Sequence, residues 1–190
     1  MIEIKSGALN AMLNLSGKKD IRYYLNGVLV QVHENRLRLV ATDGHVMGVY
    51  QDEIASDDSF QIVIPNEIIS KLDKKQTNVL TNADGVWKID NIIFAPIDGQ
   101  YPDYMRVLPT KELTKEIAQF NPDFIARFAK VGKTLTRAKT PIVQITHNGQ
   151  SSALVDIGIP DRFIGVVMPL RLDGGFKKAP VWLGLEVQNA

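Results

Sequence analysis

Apolar residues recur at helical spacing in three segments of the chain. The clearest segment is NPDFIARFAKVGK (121–133), and PNEIISKLDKK (65–75) repeats its order of acidic, apolar, small and basic positions. A weaker copy, SGALNAMLNLSGKK (6–19), keeps only the apolar spacing. The apolar face of the first-named segment consists of Phe124, Ile125, Phe128 and Val131. Residues three and four apart share one face of a helix, so the pattern predicts three amphipathic helices.

Capping residues are expected at the ends of these helices. Asn121 is a favourable N-cap because Pro122 follows it at the first helical position, and Ser6 is the N-cap candidate of the first helix. The letters VGKT (131–134) lack the upstream glycine of a phosphate-binding loop. They are predicted instead to end the third helix, with Gly132 as its cap.

Each predicted helix is followed by segments in which apolar and polar residues alternate, as at Leu37 and Leu39. Such alternation is typical of strands with one buried face. The predicted hairpin turns are Glu34-Asn35, Asp84-Gly85 and Asn148-Gly149. The order of strand, helix, hairpin and further strand occurs three times. The sequence therefore predicts an α+β fold of repeated β-α-β-β-β units, with helices packed on one face of antiparallel sheets.

The composition is that of an ordinary soluble protein, with 45% hydrophobic and 23% charged residues among 190. The chain has no cysteine, which excludes disulfides and thiolate metal sites. Its first residues lack the basic and apolar regions of a signal peptide, and no apolar run reaches membrane-spanning length. We therefore expect a cytoplasmic protein.

Basic residues are concentrated on the predicted helices, although the net charge is only +1. The candidates for contact with DNA phosphates are Lys71, Lys74, Lys75, Arg127, Lys130, Lys133 and Arg137. Such side chains would bind duplex DNA without reading its bases. A solvated helix face is the alternative interpretation of each stripe taken alone.

No catalytic or metal-binding motif is found in the sequence. His33, His45 and His147 do not have the spacing of a zinc site, and no cofactor-binding motif occurs. Asp43 and His45 lie in an Asp-Gly turn without a candidate nucleophile. We expect the Asp43 side chain to bond its own backbone beside a partly buried His45. The protein is accordingly predicted not to be an enzyme.

Several segments together resemble the bacterial DNA polymerase III β sliding clamp family: DIRYYLNGVLVQV, VATDGH, YPDYMRVLP and VVMPLRL. Residues 1–110 resemble the middle domain of that clamp, and residues 111–172 resemble the second half of its last domain. Residues 173–190 are expected to form an extra strand or tail. The resemblance has no counterpart of the first clamp domain, and a shortened clamp of this kind would suit a phage or mobile element.

The resemblance implies a processivity factor of DNA replication, whose helices line a ring around duplex DNA. It also implies a pocket that binds short peptides of the polymerase and the clamp loader through their Leu and Phe side chains. By matching motif, the pocket residues are Arg22, Thr42, Gly44, His45, Met47, Pro102, Arg106, Val107, Ser152, Val167, Met168, Pro169 and Arg171. The alternative is that these residues belong to a core that closes a domain junction.

Two further points depend on the resemblance. A ring of about twelve half-units would need four copies of a chain with three, so a homotetramer is expected, with trimers or dimers as other closures. The competing hypothesis is an interaction module that does not encircle DNA but binds clamp-binding peptides and modulates replication proteins. Val46 and Met47 stand where the family usually has Arg-Leu, which changes the rim of the pocket.

Overall fold

Antiparallel strands dominate the computed structural model, which describes residues 1–109, 118–147, 149 and 151–171. The α-helices of this part are α1 (Ala8–Met12), α2 (Asn66–Ile69) and α3 (Pro122–Thr136). The strands are β1 (Ile2–Ile4), β2 (Gly27–His33), β3 (Arg36–Thr42), β4 (Val46–Glu53), β5 (Phe60–Pro65), β6 (Asn78–Ala83), β7 (Val86–Ile89), β8 (Ile92–Phe94), β9 (Gln144–Thr146), β10 (Ala153–Asp156) and β11 (Phe163–Val167). The predicted α+β class is confirmed.

The strands form two antiparallel sheets. One sheet has four strands in the order β1-β6-β7-β8, and the other has seven in the order β5-β2-β3-β4-β11-β10-β9. In the first two predicted repeats, the strand that precedes the helix pairs with a strand of the other repeat. Strand β1 pairs with β6, and β5 pairs with β2. These exchanged strands link the two units, so the repeats predicted from the sequence are not separate structural blocks.

The seven-stranded sheet continues from residues 1–109 into residues 118–171. Strand β4 pairs with β11 over five residues, from Tyr50 opposite Phe163 to Val46 opposite Val167. Strands β10 and β9 then extend the sheet on the far side of β11. The two segments that resemble different clamp domains are therefore joined by a continuous hydrogen-bonded ladder. Their domain boundary stays a prediction.

Alternating residues of the seven-stranded sheet face two different cores. On one face, Leu37, Leu39 and Ala41 pack with residues of α1 and α3 in the main core of the protein. The opposite face carries a second cluster, which we call the outer-face cluster. It consists of Leu29, Val40, Met47, Val63, Tyr101, Tyr104 and Val166. The period-2 alternation expected for strands is thus present, and both faces of this sheet are covered.

Two glycines allow the helices to approach the sheet where β4 meets β11. Gly48 and Gly165 are directly opposite each other in the ladder. A Cβ atom on Gly165 would lie 2.5 Å from Cε1 of Phe128 in α3, and one on Gly48 would collide with Leu15. The fully buried ring of Phe128 therefore occupies the space that a side chain at residue 165 would need.

Two predictions about helix ends are wrong. Gly7, with a φ of 77°, is the N-cap of α1 and provides no side-chain bond. The Ser6 hydroxyl instead accepts a hydrogen bond of 3.2 Å from Arg137 Nη2. Helix α3 also continues past Gly132 to Thr136, and Arg137 caps it in the left-handed conformation with a φ of 58°. The reason is that Gly132 is buried against Pro141 and Ile157, within the packed face of α3.

Other local predictions are confirmed. The Asn121 side chain accepts a hydrogen bond of 2.9 Å from the Asp123 amide, with Pro122 at the start of α3. The Glu34-Asn35 and Asp84-Gly85 turns have positive φ at both residues, which tight hairpins of this kind require. Residues 110–117, 148, 150 and 172–190 lie outside the described residues, and with them the predicted tail and part of the third turn. None of the described helices has the length and apolar character needed to span a bilayer.

Candidate functional site

The Thr-Asp-Gly-His turn connects β3 to β4 and is held by its own side chains. Asp43 Oδ1 accepts hydrogen bonds from the amides of His45 at 2.8 Å and Val46 at 3.0 Å. Thr42 Oγ1 donates to the Val46 carbonyl at 2.7 Å and accepts from the Gly44 amide at 3.0 Å. The predicted bonding of Asp43 to its own backbone is therefore confirmed. The expected partial burial of His45 is wrong, since its side chain is exposed.

Arg22 covers one side of this turn. Its Nη2 donates to the carbonyl of Asp43 at 2.9 Å, and a Cβ atom on Gly44 would lie 2.9 Å from Nη1. The absence of a side chain at Gly44 thus allows the guanidinium to lie against the backbone. Arg22 also binds Asp20 at 2.7 Å, and its hydrogen bonds lower the pKa of Asp20 to about 2.

The end of β11 brings a second group of predicted pocket residues to the turn. The Met168 amide donates to the His45 carbonyl at 2.9 Å. Met168 and Pro169 are half-buried, whereas Arg171 is exposed. In the ladder, Val166 is opposite Met47. The structure thus places the Met-Pro segment beside the turn.

The outer-face cluster includes Met47, which follows the turn, and Val166, which precedes the Met-Pro segment. Met47 is only 3% exposed and packs there with Val166, while Val107 and Leu154 contact the cluster from its edge. Ser152 Oγ donates to the Val107 carbonyl at 3.1 Å, which joins β10 to the segment that covers the sheet. The predicted residues Met47, Val107 and Ser152 therefore lie together.

Some pocket residues differ from the sequence interpretation. Val167 is fully buried in the main core, on the side of the helices, and Val166 occupies the outer face in its place. Pro102 is exposed, and Arg106 forms an exposed ion pair with Asp103 at 2.9 Å. The cluster residues that the sequence interpretation missed are Leu29, Val40, Val63, Leu154, Tyr101, Tyr104 and Val166. Period-2 alternation along β11 could have identified Val166.

Arg127 does not lie with the other basic residues of α3. Its Nε donates to the Asn14 carbonyl at 2.6 Å, its Nη2 donates to the Ser16 carbonyl at 3.3 Å, and its Nη1 forms an ion pair with Asp43 Oδ2. The side chain is 20% exposed. These acceptors lie in the segment that follows α1 and in the Thr-Asp-Gly-His turn.

The charge state of Asp43 is determined by competing effects. Burial alone would raise the pKa of this carboxyl, because a buried charge loses hydration. The hydrogen bond from Arg127 and the amides of Val46 and His45 favour the ionised form, and their sum leaves the pKa below its usual value. Asp43 is therefore a carboxylate at neutral pH, with one oxygen bound to the turn and the other to α3.

Three of the predicted DNA-contacting lysines lie around one cleft between the helices. The cleft has a volume of about 320 Å³ and lies beside α1, α2 and α3. Its lining residues are Asn10, Leu13, Asn14, Ser70, Lys74, Lys130, Lys133 and Thr134. The ammonium groups of Lys74, Lys130 and Lys133 have no carboxylate within 4.0 Å among the described residues. The cleft is basic and open to solvent.

The remaining basic candidates are outside this cleft. Lys71 and Lys75 are exposed just after α2. Arg137 is exposed at the end of α3 and donates to Ser6. Over the described part of the chain, no group of three or more His, Asp or Glu side chains could hold a metal ion.

Comparison with known proteins identifies relatives of this chain. Residues 10–103 match the family described as "DNA polymerase III beta subunit, central domain". The beta sliding clamp of Buchnera aphidicola subsp. Acyrthosiphon pisum is 37% identical over 150 residues, which are 73% of this chain and 40% of that protein. The beta sliding clamp of Vibrio cholerae is 37% identical over 101 residues, which are 48% of this chain and 28% of that protein.

Solved structures share the fold. The DNA polymerase III beta subunit of Thermotoga maritima has a TM-score of 0.67 at 16% identity, covering 90% of this chain and 65% of that one. The corresponding subunit of Pseudomonas aeruginosa has a TM-score of 0.65 at 21% identity, covering 90% and 66%. A sliding clamp from Pseudomonas aeruginosa bound to griselimycin scores 0.63 at 20% identity, with the same coverage. The matches span only 28% to 40% of the length of these curated relatives.

Proposed function

The chain belongs, through residues 10–103, to the family of the DNA polymerase III beta subunit, and on that premise we propose that it is a sliding-clamp processivity factor. It acts in the cytoplasm, performs no chemical reaction, and holds replication proteins on duplex DNA. The convergence of Lys74, Lys130 and Lys133 on one cleft is the observation that carries this proposal.

The basic cleft supports contact with DNA phosphates. Its three lysines come from the α2 and α3 regions, and Asn10, Asn14 and Ser70 add polar groups between them. Lysine ammonium groups that lack acidic partners are free to replace the counterions of a phosphate backbone. The described residues that line the cleft include no aromatic side chain, so stacking on single-stranded bases is not expected.

The salt dependence of binding tests this contact. A variant with K74Q, K130Q and K133Q should show a slope of log K against log salt that is smaller by about three, since each phosphate contact contributes about one. The matched control is K88Q, which removes an exposed charge on β7, outside the helices. An unchanged slope in the triple variant would contradict phosphate binding at the cleft.

We further propose that the pocket beside the Thr-Asp-Gly-His turn binds replication peptides. Half-buried Val107 and Leu108 pack against the outer-face cluster, and half-buried Met168 is bonded to the His45 carbonyl of the turn. Methionine adapts to varied ligands. Burying one Leu or Phe side chain of a peptide would contribute roughly 1.5–3 kcal/mol before the cost of ordering. The expected affinity is micromolar, which permits exchange of partners.

Charged substitution at the pocket tests peptide binding. M168E should weaken the binding of a fluorescein-labelled peptide ending in Leu-Phe by at least about tenfold, because a carboxylate would be desolvated against the apolar peptide. M105E is the matched control, since Met105 is 57% exposed. Equal affinity of M168E and the unsubstituted protein would exclude this pocket.

The proposed assembly is a closed ring of identical subunits. Four copies would supply about twelve half-units, as the family implies, with trimers or dimers as other closures. Light scattering should give a particle mass near four times 21.1 kDa. A monomer at micromolar concentration and physiological salt would contradict a self-assembled ring.

A further inference from the structure

We infer that Arg127 is a positioning residue of the peptide pocket, which holds the Thr-Asp-Gly-His turn against α3 and does not contact DNA phosphates. The inference rests on the proposed peptide-binding function. It assigns to Arg127 a role different from that of Lys130 and Lys133, although all three occur in one basic sequence pattern.

The guanidinium of Arg127 joins three parts of the chain. It binds the carbonyls of Asn14 and Ser16, which follow α1, and it forms an ion pair with Asp43 in the turn. These partners are 84 to 113 residues away in sequence. An arginine side chain has five N–H donors in a planar arrangement, so it can bind three acceptors in different directions.

A second contact between α3 and the turn supports this role. The exposed ring of His45 stacks on Phe124 with centroids 5.4 Å apart and an angle of 19° between the planes. Phe124 and Arg127 are three residues apart and therefore lie on neighbouring positions of one helix surface. The first two turns of α3 thus contact both the side chain of Asp43 and that of His45.

The turn connects these contacts to the pocket on the other face of the sheet. The His45 carbonyl accepts the amide of Met168, while Met47 packs in the outer-face cluster. Asp43 binds the turn amides through Oδ1 and Arg127 through Oδ2. The orientation of this one carboxylate therefore depends on α3, and the backbone that borders the pocket depends on the carboxylate.

Loss of the arginine would leave a partly buried carboxylate without its partner. The Asp43 side chain is 18% exposed, so an unpaired charge there would lack most of its hydration. Rotation of Asp43 towards water would release the amides of His45 and Val46. A peptide would then have to order the turn on binding, which lowers its affinity.

Substitutions with different bonding capacity test the inference. R127Q should weaken binding of the labelled Leu-Phe peptide by about tenfold. R127K keeps the positive charge but not the planar set of N–H donors, and should weaken binding by about threefold. K139Q, which removes an exposed charge after α3, should leave the affinity unchanged. Amide exchange at His45 and Val46 should accelerate in R127Q and less in R127K, and thermal unfolding verifies that each variant is folded.

DNA binding should respond to substitutions at Arg127 and Lys130 in the opposite way to peptide binding. K130Q should reduce the salt slope of DNA binding by about one, whereas R127Q should leave the slope unchanged. The inference is wrong if R127Q reduces the slope and leaves both peptide affinity and amide exchange as they were. If the unsubstituted protein does not bind the peptide, the proposed peptide function fails as well. If it binds and R127Q binds equally tightly, only the inference fails.

Discussion

The two halves of α3 carry similar basic residues but differ in what those residues contact. In the N-terminal half, Arg127 is 20% exposed and is bound to Asp43 and two backbone carbonyls. In the C-terminal half, Lys130 and Lys133 are exposed around the basic cleft. The basic residue of the N-terminal half therefore binds groups of the protein itself. Those of the C-terminal half are available to an anionic partner.

Helix geometry explains the difference. Three residues rotate an α-helix by about 300°, which is about 60° less than a full turn. Residues 127, 130 and 133 therefore follow a spiral, and Arg127 is about 120° away from Lys133 around the axis. A spacing of three does not keep charges on one straight stripe. Arg127 and Lys133 thus face different surfaces, and Lys130 lies between them around the axis.

Phe128 lies between the two halves, and its removal should affect both. The side chain is fully buried, and its ring packs edge-on against Phe163 with centroids 6.5 Å apart. F128A should lower the free energy of unfolding by about 3–5 kcal/mol, because it leaves a cavity under α3. Urea denaturation measures the loss. V86A, at a side chain 51% exposed, should change stability by less than about 0.5 kcal/mol.

Substitution at the glycine pair should produce the next largest effect. G165A places a methyl group against the rigid Phe128 ring and should cost about 1–3 kcal/mol through overpacking. G48A meets the end of the Leu15 side chain, which can rotate more readily than an aromatic ring, and also approaches the Phe163 ring, so it should cost less than G165A. Thermal unfolding compares the two variants. A larger loss in G48A would mean that the packing of Leu15 and Phe163 adapts less readily than that of Phe128.

Asp43 tests the N-terminal half alone, and its effect should depend on pH. D43N should cost about 1–3 kcal/mol at pH 7, since Arg127 loses its ionised partner. The folded pKa of Asp43 is lowered, so its stabilising contribution is present above the unfolded value of about 3.9 and is lost as pH falls through the folded value.

The pH dependence of the free energy of unfolding tests the direction of this effect. Below pH about 4, D43N should lose less stability on acidification than the unsubstituted protein. A residual slope is expected in both proteins, because Asp20 also has a lowered pKa, of about 2. Parallel pH curves for the two proteins would show that the ion pair does not stabilise the fold.

Lys133 tests the C-terminal half alone and should have the smallest effect on stability. K133Q should change the free energy of unfolding by less than about 0.5 kcal/mol, because the exposed ammonium has no acidic partner among the described residues. Its salt slope for DNA binding should nevertheless fall by about one. A stability loss like that of D43N would mean that the two halves of α3 are not functionally distinct.

Local features of the fold could be predicted from the sequence. The Asn121 cap, the Glu34-Asn35 turn and the alternation at Leu37 and Leu39 depend on neighbouring residues, and each is present in the structure. The exchange of β1 between units could not be predicted, because pairing with β6 joins distant segments. The alternation of apolar and polar residues in a strand does not indicate which other strand pairs with it.

The candidate site shows the same division. The turn and the Met168 segment could be identified by resemblance, and the lysines by their pattern. The role of Arg127 depends on Asp43, 84 residues away, and the left-handed cap at Arg137 replaces the expected one at Gly132. Both depend on what α3 packs against, which is the Thr-Asp-Gly-His turn at Arg127 and Pro141 with Ile157 at Gly132. Sequence periodicity specifies the faces of a helix but not what each face meets.

Trapping on circular DNA tests the central claim most directly. The protein would be mixed with linear duplex DNA, the ends ligated, and the salt raised until phosphate contacts are released. The account predicts that protein stays with the closed circle through gel filtration and leaves after a restriction enzyme cuts it. Equal release from closed and cut DNA, with the labelled peptide still bound, would contradict encirclement and favour an interaction module that does not enclose DNA.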